Sequence, residues 1–123
     1  MNTGFKKNDL QSFVAKCAEK KLIIIGDKVE TEAVRMIFLD NLGITPYGEF
    51  CFDGKANFYL QITLDELIAE KNQIVVLITD RHPFKVERWL ILHGIEDYYC
   101  SQLFLERYIF NNNTNVCHFF IDD

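Results

Sequence analysis

The run Leu22-Ile23-Ile24-Ile25 carries no charge and no polar alternation, stops at Gly26, and passes at once into a helix-like segment. A strand that is apolar on both sides must be covered on both sides, which is the situation of a parallel strand between helical layers. A second run, Ile74-Val75-Val76-Leu77-Ile78-Thr79, is also uncharged and mostly β-branched, so it predicts another buried strand.

Helical patterns separate the strands. Residues 8–21 open on the cap residue Asn8 and place Leu10, Phe13, Val14, Cys17 and Ala18 at helical spacing. Residues 28–42 give a stripe of Val29, Ala33, Val34, Ile37 and Phe38, and Gly43 stands where a left-handed helix stop is expected. A second strand, within residues 47–54, ends in an acidic turn at Asp53. Residues 55–62 read as an irregular connection. Thr63-Leu64-Asp65-Glu66 is a capping box that starts a short helix. After Asp80-Arg81-His82, Pro83 suits the first turn of a helix on which Val86, Trp89, Leu90 and His93 share a face, with Gly94 as its end. Trp89 is expected in the core. Residues 97–100 make a fourth strand, Ser101 caps a helix to about Phe110, and residues 116–121 are an expected edge strand.

Helix and strand thus alternate through the chain. Such alternation predicts an α/β domain with a parallel sheet of four to five strands between two helical layers. Right-handed crossovers make 2-1-3-4 the simplest strand order. Length and continuity fit one domain over residues 1–123, with a leading helix at 8–21 and a tail at 111–123.

Charge narrows the partners. Residues 1–60 carry eight Lys/Arg and eight Asp/Glu and the remainder five and ten, so the second half holds the whole net charge of −5. A nucleic-acid backbone is not expected as partner. The five lysines of residues 1–21 read as a solvated helix face. No apolar run approaches the roughly 20 residues that span a bilayer, and a cytoplasmic location is expected. The chain ends directly after an apolar stretch, which leaves open that it is a fragment. Cys17, Cys51, Cys100 and Cys117 have no zinc-ligand spacing and read as small buried apolar residues. No metal site is expected.

In an open parallel sheet, ligands bind beyond the carboxyl ends of the strands where the order reverses. Here those ends are Gly26-Asp27-Lys28 and Thr79-Asp80-Arg81-His82. Asp53, after the second strand, stands where an acidic residue can take ribose hydroxyls. These eight residues are the ligand-binding candidates. Against the dinucleotide pattern Gly-x-Gly-x-x-Gly, Lys28 and Thr31 replace the second and third glycines. Lys28 obstructs close backbone approach, and Asp27, Glu30 and Glu32 repel a phosphate from the first helical turn. Standard NAD or FAD binding is not expected. Asp80 and His82 could do acid–base work; the structural reading has Asp80 capping the helix and Arg81 neutralising it.

The order of signals resembles the small Rossmann-like domains of bacterial surface-polysaccharide and sugar-nucleotide proteins. The counterparts are Leu22-Ile23-Ile24-Ile25-Gly26, Phe50-Cys51-Phe52-Asp53, Thr63-Leu64-Asp65-Glu66-Leu67, Ile74 to Thr79, and the stretch from Leu90 through Gly94-Ile95-Glu96-Asp97-Tyr98-Tyr99. The resemblance covers about residues 8–110. It implies a Rossmann-like module with a degenerate glycine motif, acting in sugar-nucleotide or surface-glycan metabolism. The chain lacks the Tyr-x-x-x-Lys of sugar dehydratases of the short-chain type. A second resemblance is to receiver domains, with Asp27 as one of the acidic pair and Asp80 near the acceptor position. The expectation is a non-catalytic binding or interaction module. The alternatives are a nucleotide- or sugar-nucleotide-binding enzyme domain at Gly26 and Asp80, and a receiver-like signalling domain. Abundant aromatics (11 Phe, 5 Tyr) favour a homodimer or an attached domain.

Overall fold

The computed structural model describes residues 10–102. Four strands, β1 (Lys21–Gly26), β2 (Gly48–Phe50), β3 (Ile74–Thr79) and β4 (Tyr98–Cys100), form one all-parallel sheet in the order β2-β1-β3-β4. β1 and β3 are paired along their whole length, from Lys21 opposite Ile74 to Gly26 opposite Thr79. The helices are α1 (Leu10–Glu19), α2 (Lys28–Val34), the three-residue α3 (Asp40–Leu42), α4 (Leu64–Ala69) and α5 (Pro83–Leu92). The arrangement is a Rossmann-like three-layer α/β fold. Among the described residues, no helix is long and apolar enough to cross a membrane.

The absence of alternation in the two long strands has a direct cause. Ile23 and Ile25 of β1 pack with Val76 and Ile78 of β3 against Leu67 of α4 and Val86 and Leu90 of α5. Leu22 and Ile24 pack with Val75 and Leu77 on the opposite side, against Phe13 of α1, Val34 of α2, and Phe38. Every β3 residue is buried. Each buried aliphatic side chain of this kind contributes about 1.5–3 kcal/mol of transfer free energy.

Two features of the expected helix at 28–42 differ. Its chain is helical throughout, but a π-helical turn (Arg35–Leu39) separates α2 from α3, with the Asp40 amide reaching back to the Arg35 carbonyl. The buried stripe is Thr31, Val34, Phe38 and Leu39. Val29, expected in that stripe, is exposed. Gly43 ends the segment in the left-handed region at φ 68°. The capping box at Thr63 and Glu66 is present, with both reciprocal hydrogen bonds. Pro83 is in the first turn of α5.

The stretch at 55–62 is irregular but pinned. Gln61 bridges Glu49 in parallel fashion, and the buried Glu49 side chain accepts from the backbone N–H groups of Asn57, Phe58 and Tyr59 at 2.9–3.2 Å. Of the lysines expected on a solvated face, Lys16 of α1 and Lys20 just after it meet Asp97. Lys21, the first residue of β1, meets Glu70. Ser101 and Gln102 are helical. The expected cap at Asn8, the remainder of the helix to Phe110 and the edge strand at 116–121 lie outside the described residues.

Candidate functional site

The first turn is built around Gly26. A Cβ there would lie 2.1 Å from the Thr79 carbonyl oxygen and 2.3 Å from its Oγ1, so the glycine is required by the close approach of β3. Asp27 then caps α2: its backbone is extended, and Oδ1 accepts from the Glu30 N–H at 2.8 Å. Its Oδ2 accepts from the Arg81 backbone N–H at 3.0 Å and from Arg81 Nε at 3.3 Å. Burial pushes the Asp27 carboxyl up, but the Glu30 and Arg81 amides and the Arg81 charge outweigh it and hold the group below its ordinary value. Thr31, in the third glycine position, is buried, and its Oγ1 is 2.7 Å from Thr79 Oγ1. The amide that would meet a phosphate therefore meets a carboxylate of the chain itself.

Beside this turn lies an open crevice of about 500 Å³, lined by Asp27, Phe52, Asp80, Arg81, His82, Lys85, Val86 and Trp89. Of the eight predicted ligand residues, Asp27, Asp80, Arg81 and His82 come together here. Gly26 and Thr79 are paired strand ends next to it and do not line it. Lys28 is exposed on α2 outside the lining. Asp53 is also outside, in the turn after β2, where its Oδ1 accepts from the Lys55 N–H at 3.1 Å.

The structural reading of the second loop needs correction. Asp80 does not cap α5; its Oδ1 accepts from the His82 N–H at 2.8 Å, one residue before the helix. The helix begins at Pro83, and His82 in the cap position gives it no side-chain cap bond. Arg81 is paired with Asp27, across the sheet order, and not with Asp80. The receiver-like candidates Asp27 and Asp80 thus follow neighbouring strand ends, one bound by Arg81 and the other turned to a backbone amide.

No family model matches the chain, nor does any curated protein or solved structure. The crevice itself is therefore the guide to function.

Its aromatic wall was not visible in the sequence. Trp89 was expected in the core; it is half-buried, with one side against the core and another on the crevice. It stacks on Phe50 (centroids 5.3 Å apart, planes 21° apart) and receives Phe52 edge-on at 5.1 Å. His93, one turn on, is 4.3 Å from the Trp89 ring. The Phe50-x-Phe52 spacing and the Trp89-x-x-x-His93 spacing are the signals that could have suggested the cluster. Phe52, Lys85 and Val86 complete the lining and are not among the eight candidates. Elsewhere, burial pushes the thiols of Cys17 and Cys51 up to about 12, with Glu49 adding to the effect at Cys51. Both are poor nucleophiles in that state. Among the described residues, no group of three or more His, Cys, Asp or Glu is placed to hold a metal ion.

Proposed function

We propose that this chain is a non-catalytic binding or interaction module of Rossmann-like fold, in sugar-nucleotide or surface-glycan metabolism, whose dinucleotide site is closed. The Asp27 bond to the α2 amide carries this reading. A pyrophosphate at that turn would have to displace a carboxylate that Arg81 also holds, and then lie beside Glu30. Asp27 and Asp80 spend carboxylate oxygens on backbone N–H groups, which suits holding loops in place better than proton transfer. The metabolic setting rests on the resemblance of the motif order.

A thermal-shift series with NAD, FAD, ATP, UDP-sugars and CDP-sugars tests it, because a ligand of the native state raises its stability. NAD and FAD are expected to leave the midpoint unchanged. A rise with either overturns the reading and favours an enzyme domain that uses the Gly26 turn.

The same reading includes self-association. Leu64 and Ile68 of α4, and Ile91 and Leu92 of α5, are exposed on the helical layer that also carries Leu67, Val86 and Leu90. Light scattering on the full chain is expected to give the mass of two copies. A monomer at high concentration removes this part.

A further inference from the structure

The closed first turn leaves the Asp80–Trp89 side of the crevice open, and its chemistry is specific. Phe52 and Trp89 lie edge-to-face at 87° and, with Val86, make an apolar wall of the crevice. Such a wall takes a flat ring or the apolar face of a sugar. Arg81 gives Nε to Asp27, and its terminal nitrogens have no partner among the described residues. Lys85 lines the same space, exposed and also without a partner there. Asp80 Oδ2 has none either, Oδ1 being the atom that meets His82, and it can accept from a hydroxyl. Ring face, two cationic donors and a hydroxyl acceptor converge on about 500 Å³, a volume suited to a small ligand.

We propose that this crevice binds a phosphomonoester of a hydroxylated ring. The ring lies against Phe52 and Trp89, the phosphate is held by Arg81 and Lys85, and a hydroxyl is taken by Asp80. A glycosyl phosphate and a nucleoside monophosphate share this chemistry. The inference rests on the reading that the Gly26 turn is closed.

Trp89 is the only tryptophan of the chain and lines this crevice, so all tryptophan fluorescence comes from a ring at the proposed site. The full chain is titrated with glucose 1-phosphate, UMP, inorganic phosphate, glucose and uridine. Saturable change is expected with glucose 1-phosphate or UMP, and whichever binds more tightly identifies the source. Inorganic phosphate, glucose and uridine are expected to bind at least about tenfold more weakly, since each lacks half of the recognition. Lys85→Ala removes an exposed side chain and is expected to weaken binding about tenfold, the loss of one charge-assisted contact. Arg81→Ala is expected to do the same while keeping the backbone bond to Asp27. Phe52→Ala tests the ring wall. No response to either phosphomonoester at millimolar concentration overturns the inference. So does an equal response to inorganic phosphate, or undiminished affinity in the Lys85→Ala variant. A thermal shift with NAD that leaves Trp89 fluorescence unchanged overturns the closed-turn reading instead, so the two failures are distinguishable.

Discussion

The Asp27 carboxylate is bonded to Arg81, 54 residues further along the chain, through both the Arg81 backbone N–H and its Nε. The other oxygen of the same carboxylate caps α2 at Glu30. One side chain therefore ties the loop after β1 to the loop after β3, across the point where the strand order reverses. It gives the helix the negative charge its N-terminus favours and fills the place that fold usually leaves for a phosphate.

Asp27→Ala removes the cap and leaves the Arg81 amide without its acceptor. It is expected to cost about 1–2 kcal/mol of unfolding free energy. Asp27→Asn keeps an oxygen for the Glu30 N–H but sets an amide NH2 against the Arg81 N–H and Nε, so it keeps the cap, loses both Arg81 bonds with the charge, and is expected to cost less than Asp27→Ala. Urea denaturation of the three proteins measures both, and equal losses would show that the cap itself contributes little.

The pH dependence follows from the direction of the Asp27 shift. Its carboxyl is held below its ordinary value in the folded state, so the unfolded chain binds the proton more readily. The stabilisation is complete above about pH 4, the ordinary carboxylate range, and is lost as pH falls through the lower folded value. The stability gap between the native protein and Asp27→Asn is expected to narrow in that acid window. Glu30 acts oppositely, because burial and then the Asp27 charge raise its carboxyl. Glu30→Gln is thus expected to stabilise the protein at neutral pH, and denaturation as a function of pH reads both effects.

Gly26→Ala places a methyl 2.1 Å from a backbone oxygen of β3, a contact that no side-chain rotation relieves. The expected loss is about 3 kcal/mol or more, seen as a fall in the thermal midpoint or in soluble yield. A midpoint within a few degrees of the native protein would mean that the β1–β3 spacing is softer than the packing implies.

Thr31 and Thr79 share a buried hydroxyl–hydroxyl bond of 2.7 Å. Thr31→Val strands the Thr79 hydroxyl and is expected to cost about 1–2 kcal/mol. The double change to valine removes both polar groups and is expected to recover part of that loss. Additive losses in the double-mutant cycle would deny the coupling.

Glu49 is fully buried and accepts from three consecutive backbone N–H groups. Glu49→Ala leaves those amides unsatisfied, at a cost of about 3 kcal/mol or more. Hydrogen exchange at Asn57, Phe58 and Tyr59 is expected to accelerate before that of β3. Unchanged protection there would show that the loop is held by its other contacts.

The unbroken aliphatic runs of β1 and β3 determined the fold class by themselves. A strand that cannot face water on either side requires helices on both, and the helical stripes between the strands supply them. The stops at Gly26 and Gly43, the cap at Thr63 and the proline at α5 are local steric and hydrogen-bonding choices, so they too were legible. The partners of the loop residues were decided by tertiary structure. Asp80 next to Arg81 suggested a local pair, but the parallel pairing of β1 with β3 brings Arg81 to Asp27 instead. Val29 fits a helical stripe, yet the helix is rotated so that Thr31 meets Thr79. Asp53 follows the right strand, but that strand ends at Phe50 and the turn carries Asp53 out of the crevice. Periodicity records which face of an element is buried; it does not record which side chains of distant loops the sheet register sets within a few ångströms of each other.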